Sequence, residues 1–185
     1  LGIAGVQGNG QTELVEAITG LRPSQAGSVR LLGHEISRSR PRQITELGAA
    51  HVPEDRLRHG LVTQFTVAEN ILLEKIPVHA GTFVDYPEIN REAKKWLDVM
   101  RLDIAPGELV ADLSAAQMQL VETAKALALN SRVLLLDEPT ASITPHEVTF
   151  LFSVLRDLRN RGVAILFVTH KLEEVMELCD KVTVL

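Results

Sequence analysis

Short runs of consecutive apolar residues alternate with helical segments along this chain, and this alternation constrains the fold more than any other feature. The clearest runs are VLLLD at 133–137, VAILFVT at 163–169 and the opening LGIAGV at 1–6. A strand with both faces buried is uninterrupted in this way, because neither side of its sheet meets water. Helices between such strands cover both faces. The sequence therefore predicts an α/β fold with a mainly parallel sheet.

Several segments between these runs carry the signals that begin a helix. Thr66 with Glu69, and Ser114 with Gln117, have the three-residue spacing of a capping box. Pro145 has the residue type favoured at the first position of a helix. These signals predict helices that start at three separate places in the chain.

The predicted organisation is a single domain over residues 1–185 with one helical insertion. A stretch rich in Pro and Gly at 76–87 interrupts the alternation, and the clearest helix after it is EINREAKKWLDVMRL at 88–102. We place a helical subdomain at about 76–130 from this pattern. Strand patterns stand at both ends without a neighbouring turn, so we expect a fragment of a longer chain.

A glycine loop at residues 5–14, GVQGNGQTEL, joins the first strand to the first helix. Gly5 and Gly10 have the spacing of the phosphate-binding pattern G-x-x-x-x-G-K followed by Ser or Thr, and Thr12 supplies the hydroxyl. Converging N–H groups and the positive end of a helix attract phosphate, and Gly8 lets the backbone approach it. A turn without a ligand is the alternative. We expect the nucleotide contacts to come from Gly5, Gly8, Asn9, Gly10, Gln11, Thr12 and Glu13.

Gln11 stands where this pattern has lysine. Lysine brings a full charge to phosphate, whereas a neutral hydrogen bond is worth about half of the roughly 1.5–3 kcal/mol of a charged one. We expect phosphate binding to survive in weaker form. Stabilisation of the charge that develops on a transferred phosphoryl group should suffer more.

Two carboxylates and a histidine end two of the predicted strands. Asp137 and Glu138 end one of them, and His170 follows the other. Such a strand places Asp137 near the phosphates as a Mg²⁺ ligand, with Glu138 able to orient or deprotonate an attacking water. His170 can reach the terminal phosphate. An acidic turn and a structural histidine are the alternatives, and the order of the three motifs favours the functional interpretation.

Composition restricts the partners and the compartment. The chain has 19 basic and 24 acidic residues and a net charge of −5, which argues against a nucleic-acid surface. The one cysteine, Cys179, cannot form an internal disulfide, so we expect a reducing compartment. No apolar run reaches the roughly 18 residues needed to span a bilayer.

Taken together, the motifs resemble the nucleotide-binding domain of ABC transporters. LLLDEPTASIT at 134–144 and VAILFVTHKLEEVMELCDKVTVL at 163–185 carry a resemblance that covers nearly the whole chain. The most similar subgroup is the ATP-binding subunits of ribose-type simple-sugar importers, beside related nucleoside importers. The resemblance implies a P-loop NTPase fold with an ABC-type helical insertion, and ATP and Mg²⁺ as ligands.

The resemblance also implies roles for individual residues. Asp137 corresponds to the Walker B aspartate, Glu138 to the catalytic glutamate and His170 to the switch histidine. HVPED at 51–55 matches the Q-loop region, with Glu54 in place of glutamine. The implied Mg²⁺ ligands are Thr12, Glu54 and Asp137.

The signature motif of the family departs from its usual form here. LSAAQMQ at 113–119 has Ala115 and Ala116 in place of two glycines, and Ser114 is the implied nucleotide contact. Importers of this subgroup fuse two such domains in one chain. The front of this chain resembles the second domain and the back resembles the first, so the chain has the pattern of a mosaic.

The implied function is the ATP-binding, energy-coupling component of an importer for a simple sugar or similar small solute. The implied enzyme is an ATPase whose hydrolysis is weak or depends on a partner. Its partners are a second ABC domain in a dimer, a membrane permease subunit and, indirectly, a solute-binding protein, with no nucleic acid. The implied location is peripheral, at the cytoplasmic face of the inner membrane. The alternatives are a non-catalytic regulatory half and a non-transport ATPase of the DNA-repair type.

Overall fold

The computed structural model describes residues 1–5, 9–55, 58, 60–79 and 83–185. The strands in these ranges are β1 (Gly2–Ala4), β2 (Arg30–Leu31), β3 (His34–Glu35), β4 (Ala49–Val52), β5 (Val78–His79), β6 (Phe83–Val84), β7 (Val133–Asp137), β8 (Ala164–Thr169) and β9 (Val182–Val184). The α-helices there are α1 (Gln11–Thr19), α2 (Pro41–Glu46), α3 (Val67–Ile71), α4 (Tyr86–Val99), α5 (Ala115–Ala128), α6 (Pro145–Asn160) and α7 (Leu172–Leu178).

A central sheet of parallel strands organises the molecule. Its strand order is β4-β7-β8-β1-β9, and every neighbouring pair is parallel. Two small two-stranded antiparallel sheets, β2-β3 and β5-β6, lie outside it. The prediction of an α/β fold with a mainly parallel sheet is confirmed.

Both faces of the central sheet are covered. Leu134 and Phe167 belong to a large core on one face, where the ring of Phe152 from α6 meets that of Phe167 edge to face at 5.9 Å. Leu135 and Val168 belong to a second cluster that includes Val15 of α1. Neighbouring residues of one strand thus pack into different clusters, which explains why the strands are uninterrupted apolar runs.

The helix starts follow the sequence signals closely. Thr66, Ser114 and Thr144 each accept from the backbone N–H three residues later, and each has a complete capping box. Pro145 occupies the first turn of α6. The described part of the chain contains no helix that is both long and apolar enough to cross a membrane.

Helices α3, α4 and α5 lie between β4 and β7 in the chain. Ile71 of α3, Ile89 and Leu97 of α4, and Val121 of α5 are almost fully buried in one core that also includes Leu134 of the sheet. The limits of a separate helical subdomain stay a prediction, because these helices and the sheet share that core.

Candidate functional site

Three predicted motifs emerge at one edge of the central sheet. Ala4 at the end of β1 is in register with Thr169 at the end of β8, and Asp137 at the end of β7 is in register with Val168. Because all three strands are parallel, the segments that follow them leave the sheet on the same side. Ligands of open α/β sheets bind outside the carboxyl ends of the strands.

The glycine loop leads into the N-terminus of α1. Gly10 has φ 96°, in the left-handed region that glycine adopts readily, and its carbonyl accepts from Leu14 N at 2.9 Å to close the first turn. Asn9 donates through Nδ2 to Leu185 O at 3.4 Å. Thr12 and Glu13 are exposed in the first turn. Gly8 lies outside the described residues, so its predicted contact stays a prediction.

Gln11 closes the loop on itself. Its side chain is buried, and Nε2 donates to the carbonyl of Gly5 at 3.3 Å. A Cβ atom at Gly5 would stand 3.2 Å from that nitrogen and 3.1 Å from Leu185 O, so a larger residue would crowd the loop. The glutamine therefore holds the two ends of the loop together without adding a charge.

The three residues implied as Mg²⁺ ligands line one cavity. Thr12, Glu54 and Asp137 all belong to the wall of a cavity of about 730 Å³. Burial, followed by the charges of Glu54 and Glu138, raises the pKa of Asp137 to about 6. Burial and two neighbouring carboxylates thus disfavour the charged form of Asp137 in this cavity.

These residues suit Mg²⁺, which binds hard oxygen ligands and typically uses one or two carboxylates together with water and substrate phosphates. Two carboxylates and a hydroxyl supply such a set. The described residues contain no group of three or more His, Cys, Asp and Glu side chains placed to hold a metal, so the protein alone does not enclose one. The ligand set therefore stays a prediction.

Glu138 and His170 form a hydrogen-bonded pair. Glu138 Oε1 accepts from the backbone N–H of His170 at 2.9 Å and lies 2.8 Å from its Nδ1. A carboxylate only accepts, so Nδ1 carries the hydrogen of this contact. The glutamate side chain is 12% exposed and that of the histidine 48%. The structure thus brings together the two predicted catalytic residues.

Ser114 acts within its own helix in this chain. Its hydroxyl accepts from Gln117 N at 3.2 Å, and Gln117 Oε1 accepts from Ser114 N at 2.8 Å. Ala115 and Ala116 follow in the first turn of α5. A nucleotide contact from this turn stays a prediction.

Four residues near the Glu138–His170 pair were absent from the sequence prediction. Thr140 follows β7, Thr169 ends β8, and Lys171 with Glu174 flank the start of α7. The three-residue spacing of Lys171 and Glu174 is a signal for an ion pair on a helix. Nothing in the sequence signals the contact of Thr140 with Glu174 or that of Thr169 with Glu138, since these pairs lie 34 and 31 residues apart along the chain.

The central parallel sheet and the helices on its two faces define an α/β fold of the P-loop NTPase class, and solved structures share this fold. A nucleotide-free ATP-binding cassette from an ABC transporter matches with a TM-score of 0.85 and 24% identity, over 100% of this chain and 75% of that one. The ADP conformation of a cassette from an ABC transporter matches with a TM-score of 0.83 and 23% identity, with the same coverage. At these identities the similarity shows the fold alone.

A family model described as ABC transporter matches residues 1–141, and the chain belongs to that family. It is 38% identical over 183 residues to the ribose import ATP-binding protein RbsA of Rhodopirellula baltica. It is 37% identical to the galactose/methyl galactoside import ATP-binding protein MglA of Escherichia coli K12. Each match covers 99% of this chain and 35% of the relative. The chain therefore spans about a third of the length of these curated relatives.

Proposed function

We propose that this chain is the ATP-binding, energy-coupling domain of an importer for a simple sugar or a similar small solute, with ATP and Mg²⁺ as ligands. The observation that carries the proposal is the Glu138–His170 pair at the sheet edge where the glycine loop enters α1. The 38% identity to a ribose import ATP-binding protein supports the transport role.

Each residue of the site has a part in the proposed reaction. Amides of the glycine loop and the N-terminus of α1 bind phosphate, and Gln11 keeps the loop closed. Thr12, Glu54 and Asp137 would hold Mg²⁺, which when bound neutralises phosphate charge. Glu138 orients the attacking water or removes its proton, and His170 fixes the direction of that carboxylate.

The proposed partners follow from the family. A second ABC domain would complete each site in a head-to-tail dimer, and a membrane permease subunit would receive the conformational change. A solute-binding protein would deliver the solute to that permease. The proposed location is therefore peripheral, at the cytoplasmic face of the inner membrane, and the net charge of −5 gives no support for a nucleic-acid partner.

A second candidate is a regulatory domain that binds ATP without splitting it. Gln11 favours this candidate, because an uncharged side chain cannot neutralise the transferred phosphoryl group as lysine does. Ala115 and Ala116 favour it too, since their methyl groups hinder close backbone approach to a phosphate from a partner domain.

Comparison of the wild-type chain with Glu138→Gln distinguishes the two candidates. We expect both proteins to bind MgATP with similar affinity, because the substitution leaves the glycine loop intact. Single-turnover hydrolysis should be slow but measurable in the wild type and at least about 100-fold slower in the variant, which lacks the carboxylate base.

Equal hydrolysis by both proteins would contradict the assigned role of Glu138. Binding without hydrolysis in both would favour the regulatory candidate. Absence of binding in both would contradict the proposed function itself.

A further inference from the structure

A polar network adjoins the Glu138–His170 pair and is centred on Glu174, in the first turn of α7. The Glu174 side chain is only 11% exposed. Its Oε2 accepts from the hydroxyl of Thr140 at 2.7 Å, and its Oε1 lies 3.1 Å from Lys171 Nζ. A carboxylate with so little exposure needs such donors, because burial disfavours its charge.

Lys171 links the same helix to the segment that follows β7. Its Nζ donates to the carbonyl oxygen and to the hydroxyl oxygen of Thr140, both at 3.3 Å. Thr140 is 1% exposed, so these contacts replace water around its hydroxyl. Glu174 and Lys171 therefore both hold Thr140 through hydrogen bonds.

Thr169 connects this network with Glu138. Its fully buried hydroxyl lies 3.3 Å from Glu138 Oε2 and 3.5 Å from Glu174 Oε2. A hydroxyl has one hydrogen and cannot serve both carboxylates fully. Because Thr140 and Lys171 already supply donors to Glu174, the hydrogen of Thr169 is left for Glu138.

The backbone conformation of Glu138 also needs support from neighbouring residues. Its φ of 43° lies in the left-handed region, which a residue with a side chain adopts rarely and only when its surroundings hold it there. Glu138 N donates to Val168 O at 3.0 Å, and Ala141 N donates to Glu138 O at 3.2 Å. Thr140 lies two residues after Glu138, and its hydrogen bonds with Glu174 and Lys171 connect the segment after β7 to helix α7.

We propose that Glu174 is a positioning residue for ATP hydrolysis. Together with Lys171 it holds Thr140 in place and leaves the hydroxyl of Thr169 free to orient the carboxylate of Glu138. The inference rests on the proposed function, since Glu138 is the group that is positioned. Glu174 acts only through other residues, so its loss should slow hydrolysis and leave ATP binding intact.

Two substitutions and their matched controls test this role in the purified chain. We expect Glu174→Gln to lower the single-turnover rate of MgATP hydrolysis about 10-fold and to change the Kd for MgATP by less than about 2-fold. Glu173→Gln removes the same charge from the adjacent, exposed glutamate and should keep the wild-type rate. Thr140→Val removes the hydroxyl and should also slow hydrolysis, whereas Thr140→Ser retains it and should restore the rate.

A spectroscopic measurement separates this proposal from the proposed function. The Nδ1–H proton of His170, hydrogen-bonded to Glu138 in the wild type, should give a downfield NMR resonance that Glu174→Gln and Thr140→Val shift or broaden. This signal needs no hydrolysis, so it decides the role of Glu174 even if the wild type proves inactive. Thermal unfolding identifies any variant that does not fold. If Glu174→Gln does not fold, the comparison of Thr140→Val with Thr140→Ser tests the proposal.

Two results would overturn the proposal. One is that Glu174→Gln and Thr140→Val keep the wild-type resonance, together with the wild-type rate where the wild type is active. The other is that they weaken MgATP binding as much as they slow hydrolysis, because that would indicate a general structural role.

Discussion

At the scale of single residues, the carboxylates of the site differ in how tightly each is held. Glu138 has hydrogen-bond donors on both oxygens, from His170 and Thr169. The environment of Asp137 instead disfavours its ionised form, because burial and the charges of two neighbouring carboxylates raise its pKa. A group in such a position is suited to a cation, and without one it weakens the fold.

Substitution of Asp137 tests whether its ionised carboxylate destabilises the folded protein. Its pKa rises from 3.8 to about 6 on folding, so the folded state binds the proton more tightly and stability falls as the pH rises through that window. We expect Asp137→Asn to increase the free energy of unfolding at pH 7, without Mg²⁺, by about 1–2 kcal/mol, since partial exposure screens the effect.

Urea unfolding at pH 4 and pH 7 gives the required free energies. The difference between variant and wild type should shrink at pH 4, where Asp137 is protonated in the folded protein. Asp103→Asn, at an exposed position, is the control and should change little at either pH. A wild type that is as stable as the variant at pH 7 would show that the charge of Asp137 does not destabilise the folded protein.

At the scale of secondary-structure elements, capping residues predicted where helices begin, which hydrophobic periodicity alone does not specify. The capping residues Thr66 and Ser114 stand directly before helices α3 and α5, as predicted. The antiparallel pair β5-β6 was not predicted, because a Pro- and Gly-rich stretch with short strands gives no clear alternation. The predicted helix starts depended on contacts within a few residues, which is the range that a local sequence pattern reports.

The cap of α6 provides a prediction at this scale. Thr144 N and Oγ1 donate to Glu147 Oε2 at 2.7 and 2.8 Å, and Thr144 Oγ1 accepts from Glu147 N at 3.4 Å. We expect Thr144→Ala to lower the free energy of unfolding by about 1 kcal/mol, because it removes the hydroxyl of the cap. Thr144→Ser should lose less than half of that, as measured by urea unfolding at pH 7. Equal losses in both variants would show that the methyl group matters rather than the cap.

At the scale of the whole molecule, the parallel sheet is what assembles the site. Residues as distant along the chain as Gly5, Asp137 and His170 lie at or just beyond the ends of three neighbouring strands. The sequence predicted this convergence because the order of the motifs was informative. It did not predict the contacts of Thr140 and Thr169 with the two glutamates, since such contacts depend on side-chain directions across two loops.

The proposed function requires above all that the glycine loop bind a triphosphate without lysine. Isothermal titration of the chain with MgATP, beside Gln11→Lys, tests this most directly. We predict saturable binding to the wild type with a Kd below about 1 mM, and about 10-fold tighter binding to the variant, which regains a charged donor. A wild type that shows no heat of binding at millimolar MgATP, beside a variant that binds, would contradict the account.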